Sequence, residues 1–273
     1  MAGTACHVLR SNTGLGLTLA LGCMDRTSKP VEFDGDTWKL KALEDYVSYK
    51  ALHDFVTSEG ALHGFVNSLK YHAQNPECFP DDAESSLRRR KRQDIEGALK
   101  HYASQTLVSL CTCYEVAVKD YFRCVFSAHP DKLFSFIGPD GAKGHVSLRD
   151  ITRHDTKQEL LDDLARRGAA IAARGEYGKS LVRAGSISAF TSEIDTLELS
   201  TLQRTRNSVV HEKRAFDFSL VTVTKAHNTV DAAIEYLCKM GIGAGIPGSY
   251  TCVGEWSRAE VEGAAFLGSM RAT

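Results

Sequence analysis

The sequence predicts an all-α protein, a bundle of about four to six helices with an irregular N-terminal segment and a Gly-rich C-terminal segment. Apolar residues recur at three- and four-residue spacing through most of the chain, which is the pattern of amphipathic helices. Strand signals are rare, and no internal repeat is present. A length of 273 residues fits one core with appended segments better than two full domains. We therefore expect an unassigned segment at 1–38, a helical domain at 39–240 and an unassigned tail at 241–273.

The first helix is predicted from about Trp38 and ends near Asn75, Pro76 and Pro80. The residues that follow its three-and-four spacing are Leu52, Phe55, Val56, Glu59, Leu62, Phe65, Val66 and Leu69. A second, much longer helix starts after Asp81 and Asp82, which suit the dipole at a helix N-terminus. We expect it to bend or break once near Gly97 and to stop at His129-Pro130. Its part at 102–126 is apolar on most sides and should form the centre of the core.

The second half of the chain predicts three further helices. A loop rich in Gly follows at 138–144, and Asp155 or Thr156 with Gln158 or Glu159 resembles a capping box. The helix that this box opens should be short and followed by mobile chain, because four glycines interrupt it. Those glycines are Gly168, Gly175, Gly178 and Gly185. The next helix runs from Leu197 through Val210, and the last one runs from Val221 to a C-cap at Gly241.

Composition excludes several classes of protein. Hydrophobic residues are 43% and charged residues 25% of the chain, as in an ordinary soluble globular protein. Lys and Arg total 33 against 34 Asp and Glu, for a formal net charge of -1. This balance excludes a histone-like polycation and an acidic disordered tail, but a local basic patch could still bind nucleic acid. No stretch approaches the roughly 20 apolar residues that span a bilayer, so we expect no transmembrane helix and no membrane partner.

The eight cysteines are spread along the whole chain, unlike those of a disulfide-rich module. The close pair Cys111 and Cys113 would point about 200° apart on a helix, which makes chelation of one metal strained. We expect buried free thiols, no metal, no cofactor and a cytoplasmic location. The short apolar run at 15–21, followed by Gly22-Cys23, could also be a truncated secretory or lipoprotein signal. Only one basic residue, Arg10, precedes that run, which is less positive charge than such a signal usually carries.

The residues that carry chemistry lie on the helix before the last, at Arg206-Asn207-Ser208-Val209-Val210-His211. Asn207 and His211 are four residues apart and share a helix face. On an ideal helix the side chains of Arg206 and His211 project about 140° apart around the axis. The long Arg206 side chain must therefore bend around the helix to meet His211, or act in a site completed by another chain. A guanidinium, an amide and an imidazole together could grip a phosphate and transfer a proton beside it.

The spacing of Arg and His alone is weak evidence for a site. With 18 Arg and 10 His in the chain, about 0.7 such pairs are expected by chance. A second match does occur from Arg149 to His154, outside any long predicted helix. Requiring Asn directly after the Arg lowers the chance expectation to about 0.01, which favours the copy at Arg206.

These residues resemble the motif of the HEPN superfamily, R-x4–6-H, whose commonest form has Asn after the Arg. The helix from Leu99 to Phe126 resembles the central helix of that family. Glu115 with Lys119 is similar to its E-x3-K element. The resemblance covers residues 40 to 240 and leaves both ends of the chain unassigned.

Membership of this family would imply a metal-independent endoribonuclease, generally a homodimer in which two motifs face each other across a cleft. His211 would act as general base or acid, Arg206 would stabilise charge on the transition state, and Asn207 would orient the phosphate or the imidazole. The expected products are a 2′,3′-cyclic phosphate and a 5′-OH. RNA would be the substrate, and the resemblance to prokaryotic toxin and phage-defence members implies an antitoxin or regulatory partner.

Other interpretations of the same residues stay open. Many HEPN domains lack nuclease activity and bind nucleotides or proteins, and a helical structural adaptor is a further alternative. Arg206 and His211 could form an ordinary helix face with Glu212, and Glu115 with Lys119 could be a plain i,i+4 ion pair. A basic run could contact an RNA backbone through its phosphates, or could be a solvated helix face. That run is Arg88, Arg89, Arg90, Lys91 and Arg92.

Overall fold

The structure is a computed structural model, and it describes residues 32–72, 81–137, 146–188, 196–212, 216–217 and 219–246. Within these ranges the regular structure is helical, which confirms the predicted all-α class. They contain eight α-helices and one 3₁₀ helix, more than the four to six expected. The α-helices are α1 (Gly35–Thr57), α2 (Glu59–His72), α3 (Asp81–Ala128), α4 (Leu148–Arg153), α5 (Lys157–Ala172), α6 (Tyr177–Ser188), α7 (Thr196–His211) and α8 (Leu220–Gly243).

The long helix α3 is the centre of the core, as predicted. Its second half packs against α1, α5 and α8, and its apolar side chains are buried on most sides. Leu107, Leu110 and Phe122 are completely buried. The helix continues through Gly97, so the predicted interruption there is wrong. It stops before Pro130, which begins the 3₁₀ helix Pro130–Ser135.

The prediction of a single first helix is wrong, because Ser58 divides it into α1 and α2. The Ser58 backbone is extended, and its Oγ donates to the carbonyl of Phe55 at 2.8 Å. The same Oγ accepts from the backbone N–H of Ala61 at 3.2 Å, so one side chain satisfies groups at both helix ends. The break changes which residues are buried: Phe55 is 69% exposed, whereas Leu62 and Val66 enter the core.

The start of α5 follows the predicted capping chemistry. Thr156 is the N-cap, and its Oγ1 accepts from the backbone N–H of Glu159 at 3.1 Å. The Glu159 carboxylate accepts from the backbone N–H of Asp155, also at 3.1 Å. The Thr156 side chain therefore satisfies one orphan N–H of the helix, and the Glu159 carboxylate satisfies the N–H of the residue before the N-cap.

The prediction of mobile chain after α5 is wrong. Helix α6 occupies that region and contains two of the glycines that suggested mobility. A Cβ built on Gly178 would lie 3.1 Å from the backbone oxygen of Thr196, and one built on Gly168 would collide with the Leu133 side chain. Gly178 and Gly168 therefore permit close approach between elements rather than flexibility.

These contacts predict opposite effects for two glycine substitutions. Gly168→Ala should lower the free energy of unfolding by about 1–3 kcal/mol, because its methyl group overlaps Leu133 and presses on Phe126. Gly97→Ala should raise it by up to about 1 kcal/mol, because nothing lies within 4 Å of the added Cβ in the middle of a helix. Urea denaturation of both variants checks the pair. A Gly168→Ala protein as stable as the wild type would contradict the packing described above.

Helix α8 extends beyond the predicted C-cap at Gly241. Gly241 is buried inside the helix, and the left-handed residue is Gly245, with φ of 70°. The N–H of Ile246 donates to the Gly241 carbonyl, and that of Gly245 donates to the Ile242 carbonyl, both at 2.9 Å. These two bonds form a Schellman motif, which favours glycine at the left-handed position. The helix end therefore lies four residues after the predicted C-cap glycine.

A buried lysine joins α1 to α8. Lys39 is only 3% exposed, and its Nζ lies 3.3 Å from Asp231 and 3.6 Å from Glu235. One turn of α8 away, the His227 ring stacks on Tyr46 with centroids 4.6 Å apart. The packing of α1 on α8 thus includes a buried cation held by two partly exposed carboxylates, and a stacked pair of rings.

The burial of His227 predicts a pH-dependent stability. Its Nε2 is buried without a hydrogen-bond partner in the described part of the chain, and desolvation lowers the pKa of the imidazole below 6.5. The unfolded chain therefore binds a proton at this position before the folded chain does, so stability should fall as the pH drops below about 6.5. Urea denaturation between pH 7.5 and 5 checks this. In His227→Phe, the free energy of unfolding should fall less steeply with decreasing pH than in the wild type. An equally steep fall in both proteins would contradict the prediction.

Some sequence predictions fall outside the described residues. These are the loop at 138–144, the apolar run at 15–21 and most of both terminal segments. The four described cysteines, Cys111, Cys113, Cys124 and Cys238, are buried free thiols as predicted. Burial raises the pKa of Cys111 and Cys124 to about 12. Of the helices that the structure describes, none is long and apolar enough to cross a bilayer.

Candidate functional site

The candidate site lies on the last two turns of α7, as the sequence predicted for the Arg206 motif. Leu199 and Leu202 are buried and hold the first half of this helix against the bundle. Val209 packs on the core from the second half. Helix α7 contacts α3, α6 and α8, so the motif stands on a supported helix rather than on a loop.

Arg206 turns inward toward α3. Its side chain is 24% exposed, and its Nη2 lies 3.9 Å from Glu115 Oε1. Its Nη1 donates to Asn207 Oδ1 at 3.1 Å. The Nε–H is buried, and no described residue accepts a hydrogen bond from it. The guanidinium is thus partly desolvated and anchored through Nη1, while Nη2 lies within ion-pair distance of Glu115 but too far away for a hydrogen bond.

The carboxylate beside Arg206 is itself held by a buried tyrosine. The Tyr177 hydroxyl donates to Glu115 Oε1 at 2.6 Å, and Tyr177 is 4% exposed. Its backbone N–H donates to Gln203 Oε1 at 2.8 Å. Burial, together with the negative charge of Glu115, raises the pKa of Tyr177, so the hydroxyl remains a donor. Three helices, α3, α6 and α7, therefore meet through polar side chains behind Arg206.

Asn207 and His211 lie on a more exposed side of α7. Both residues are exposed, and His211 is the last residue of the helix. Arg206 and His211 leave an ideal helix about 140° apart and are separated by about 7.5 Å along its axis. Within one chain, the structure places the arginine against the bundle and the histidine at the open end of α7. It does not bring the two side chains together.

Lys119 does not take part in this network. It is exposed and forms no ion pair with any described residue. Glu115 pairs with Arg206 instead, across two helices. Among the described contacts, Glu115 and Lys119 do not form an ion pair, because the Glu115 carboxylate faces Arg206 and Tyr177.

The basic run at the start of α3 is divided between two environments. Arg89 and Arg90 are exposed, whereas the other three residues contact neighbours on α2 or on their own helix. Those contacts are Arg88 to Glu84 at 3.0 Å, Arg92 to Glu59 at 2.7 Å, and Lys91 Nζ at 4.5 Å from the centre of the Phe65 ring. Arg89 and Arg90 are therefore the two of these five cations whose side chains are most accessible to a phosphate backbone.

The basic run and Arg206 do not meet in one chain. Arg92 and Glu115 are 23 positions apart on one continuous helix, which corresponds to about 35 Å along its axis. A single RNA backbone could reach both only if it followed α3 or crossed to a second copy of the protein.

The second Arg–His match begins on the short helix α4 and ends at its C-cap, His154. Arg149 is exposed, and His154 Nε2 lies 3.8 Å from Asp163 on α5. Asp150, between them, forms a capping box with Ser147. Backbone and side-chain hydrogen bonds from Ser147 lower the pKa of Asp150 to about 2. These contacts belong to the ends of two helices, and the described residues place no buried guanidinium there.

Sequence reasoning missed Tyr177 and Gln203. Gln203 stands three residues before Arg206 and shares its face of α7, which is a signal that could have been used. Tyr177 gave no such signal, because its contact with Glu115 joins residues 62 positions apart.

A cavity of about 340 Å³ between α7 and α8 was also not predicted. It is lined by Thr201, Leu202, Thr205, Phe216, Ala226 and other residues.

Comparisons with family models, with curated proteins and with solved structures found no match to this chain. Among the described residues, no group of three or more His, Cys, Asp and Glu side chains is arranged to hold a metal ion. What the described geometry offers is a partly buried guanidinium with a spare donor. An exposed amide and an exposed imidazole follow it at the end of the same helix.

Proposed function

We propose that this protein is a metal-independent endoribonuclease of the HEPN type. The observation that carries the proposal is the state of Arg206, which is held beside Glu115 with a buried and unused Nε–H. A guanidinium in a partly desolvated site is well suited to stabilise charge that develops on a phosphate. His211, exposed on the same helix, supplies an imidazole that can serve as general base or general acid.

The reaction is an internal transfer at phosphorus. The ribose 2′-OH attacks the adjacent phosphodiester, its proton goes to a general base, and the bond from phosphorus to O5′ breaks. The leaving O5′ takes a proton, so the products are a 2′,3′-cyclic phosphate and a 5′-OH. His211 serves as base or acid, and Arg206 neutralises the extra charge on the phosphorane-like transition state. DNA has no 2′-OH and is not a substrate.

Asn207 would complete the phosphate contacts. Its Oδ1 already accepts from Arg206 Nη1, which leaves the amide NH₂ to donate. An amide oriented by the arginine can hold a phosphate oxygen while the guanidinium approaches from the other side. This role agrees with the exposure of Asn207 on α7.

The proposed active unit is a homodimer. Arg206 and His211 point to different sides of α7 in one chain, so a site that uses both is more easily completed by a second copy. A two-fold axis near the end of α7 would bring two arginines and two histidines to one cleft. The protein as a whole has a net charge of -1, yet such a cleft would be locally basic. Growth arrest or phage defence, controlled by an antitoxin or another partner, is the biological role that goes with this activity.

Cleavage of RNA in the presence of EDTA tests the proposal. The purified full-length chain is incubated with an RNA oligonucleotide and with DNA of the same sequence. We expect cleavage of the RNA alone and no loss of rate with EDTA. Failure to cleave any of a set of structured and unstructured RNAs would overturn the nuclease proposal and leave a nucleotide- or protein-binding HEPN module, or an adaptor, as the alternative.

A further inference from the structure

Tyr177 is buried behind the proposed catalytic arginine, and its hydroxyl contacts Glu115. We infer that it is a positioning residue, which fixes Glu115 and through it the direction of the Arg206 guanidinium. The effect on cleavage rests on the proposed function, but the effect on Arg206 itself does not. The inference adds to the motif a residue from α6, a helix that the sequence did not predict.

The position of the Tyr177 hydroxyl is set by the fold. Its backbone carbonyl accepts from the Tyr114 hydroxyl at 3.0 Å and from the Ser180 hydroxyl at 2.8 Å. Its backbone N–H donates to Gln203 Oε1, while Gln203 Nε2 donates to the Gly175 carbonyl at 3.1 Å. Both sides of the Tyr177 peptide unit are therefore tied to neighbouring helices, and the ring is buried. Such a side chain has little freedom to move its hydroxyl.

Glu115 needs this support because it is not held by burial alone. Its side chain is 33% exposed, and the carboxylate could rotate toward water. The oxygen that accepts from Tyr177 at 2.6 Å is the same Oε1 that lies 3.9 Å from Arg206 Nη2. The hydroxyl therefore holds the negative charge on the side of the carboxylate that faces the guanidinium. Without it, Arg206 loses a fixed counter-ion at one end.

The link through Gln203 couples the same network to α7. Gln203 and Arg206 are three residues apart on one helix, so the contact from Gln203 to Tyr177 sets the register of α6 against the face that carries Arg206. The Tyr177 backbone thus helps to position α7 through Gln203, and the Tyr177 hydroxyl helps to direct the Arg206 side chain through Glu115. Removal of the hydroxyl leaves the contact with Gln203 intact and breaks only the contact with Glu115.

Tyr177→Phe is the variant that tests the inference, and Tyr121→Phe is its matched control. Tyr121 is a buried tyrosine on α3 whose ring packs on Phe33 and Phe122, away from the contacts that hold Tyr177 and Glu115. The full-length chain is labelled with ¹⁵N, and the Nε–H signal of Arg206 is assigned by its loss in Arg206→Lys. The same proteins are assayed for cleavage of a fluorescent RNA oligonucleotide.

Tyr177→Phe should move the Arg206 Nε–H signal and lower kcat by about 10- to 100-fold, with KM within about twofold of the wild type. Tyr121→Phe should leave the signal in place. If Tyr177→Phe does not fold, Glu115→Gln replaces it and should move the same signal. An unmoved signal in the folded variant overturns the inference, whether or not the protein cleaves RNA. A wild type that cleaves nothing overturns only the proposed function, because the signal still answers the positioning question.

Discussion

Arg206→Ala should lower the rate of RNA cleavage by about a hundred- to a thousandfold, because one preorganised charge that stabilises the transition state is lost. His211→Ala should lower it by about a hundred- to ten-thousandfold, because the proton transfer loses its positioned base or acid. Cleavage of a fluorescent oligonucleotide under single-turnover conditions measures both. His211 is exposed at the end of α7, so its replacement should leave the thermal unfolding temperature almost unchanged.

The chain contains its own control for this experiment. Arg149 and His154 have the same spacing but lie at the start and the C-cap of α4, where Arg149 is exposed and His154 faces Asp163. Arg149→Ala and His154→Ala should cleave RNA at rates close to that of the wild type. If these variants lose as much activity as the α7 variants, the assignment of the site to α7 is wrong.

A dimer built from two different inactive chains should recover activity. One chain carries Arg206→Ala and the other His211→Ala, and two affinity tags isolate the mixed dimer. If each site takes Arg206 from one copy and His211 from the other, one of the two sites keeps both residues. The mixed dimer should then have about half the wild-type activity, whereas each parent has almost none.

The reverse outcome has an equally clear meaning. If Arg206 and His211 of the same chain act together, neither site of the mixed dimer is complete, and no activity returns. Such a result would require the arginine to reach round α7 and away from Glu115. A protein that remains monomeric at assay concentration yet cleaves RNA would also contradict the composite site.

The sequence predicted the positions of α7 and of the central helix and placed the motif residues on α7, because each of these depends on local spacing. Leu199 and Leu202 show the apolar face of α7, and Asn207 with His211 follows from the helix period. The buried half of the site could not be predicted in the same way. The hydrogen bond from Tyr177 to Glu115 joins α6 to α3, and only packing reveals it.

Glycine and serine misled the sequence reasoning for related physical reasons. Gly168 and Gly178 lie inside helices because a neighbouring element needs the space of their missing side chains. Ser58 ends one helix and begins another with a single hydroxyl, while the apolar spacing continues almost undisturbed across the break. In each case the local pattern fits more than one structure, and tertiary contacts decide between them.

The mass of the RNA fragments tests the central claim most directly. The full-length chain cleaves an oligonucleotide of known sequence in EDTA, and mass spectrometry identifies both new ends. We predict a 2′,3′-cyclic phosphate on one fragment and a 5′-OH on the other, with no product from an oligonucleotide whose ribose at the cleavage site is 2′-deoxy. Fragments that end in a 3′-OH and a 5′-phosphate, or cleavage at the 2′-deoxy position, would contradict attack by the 2′-OH and with it the roles given to Arg206 and His211.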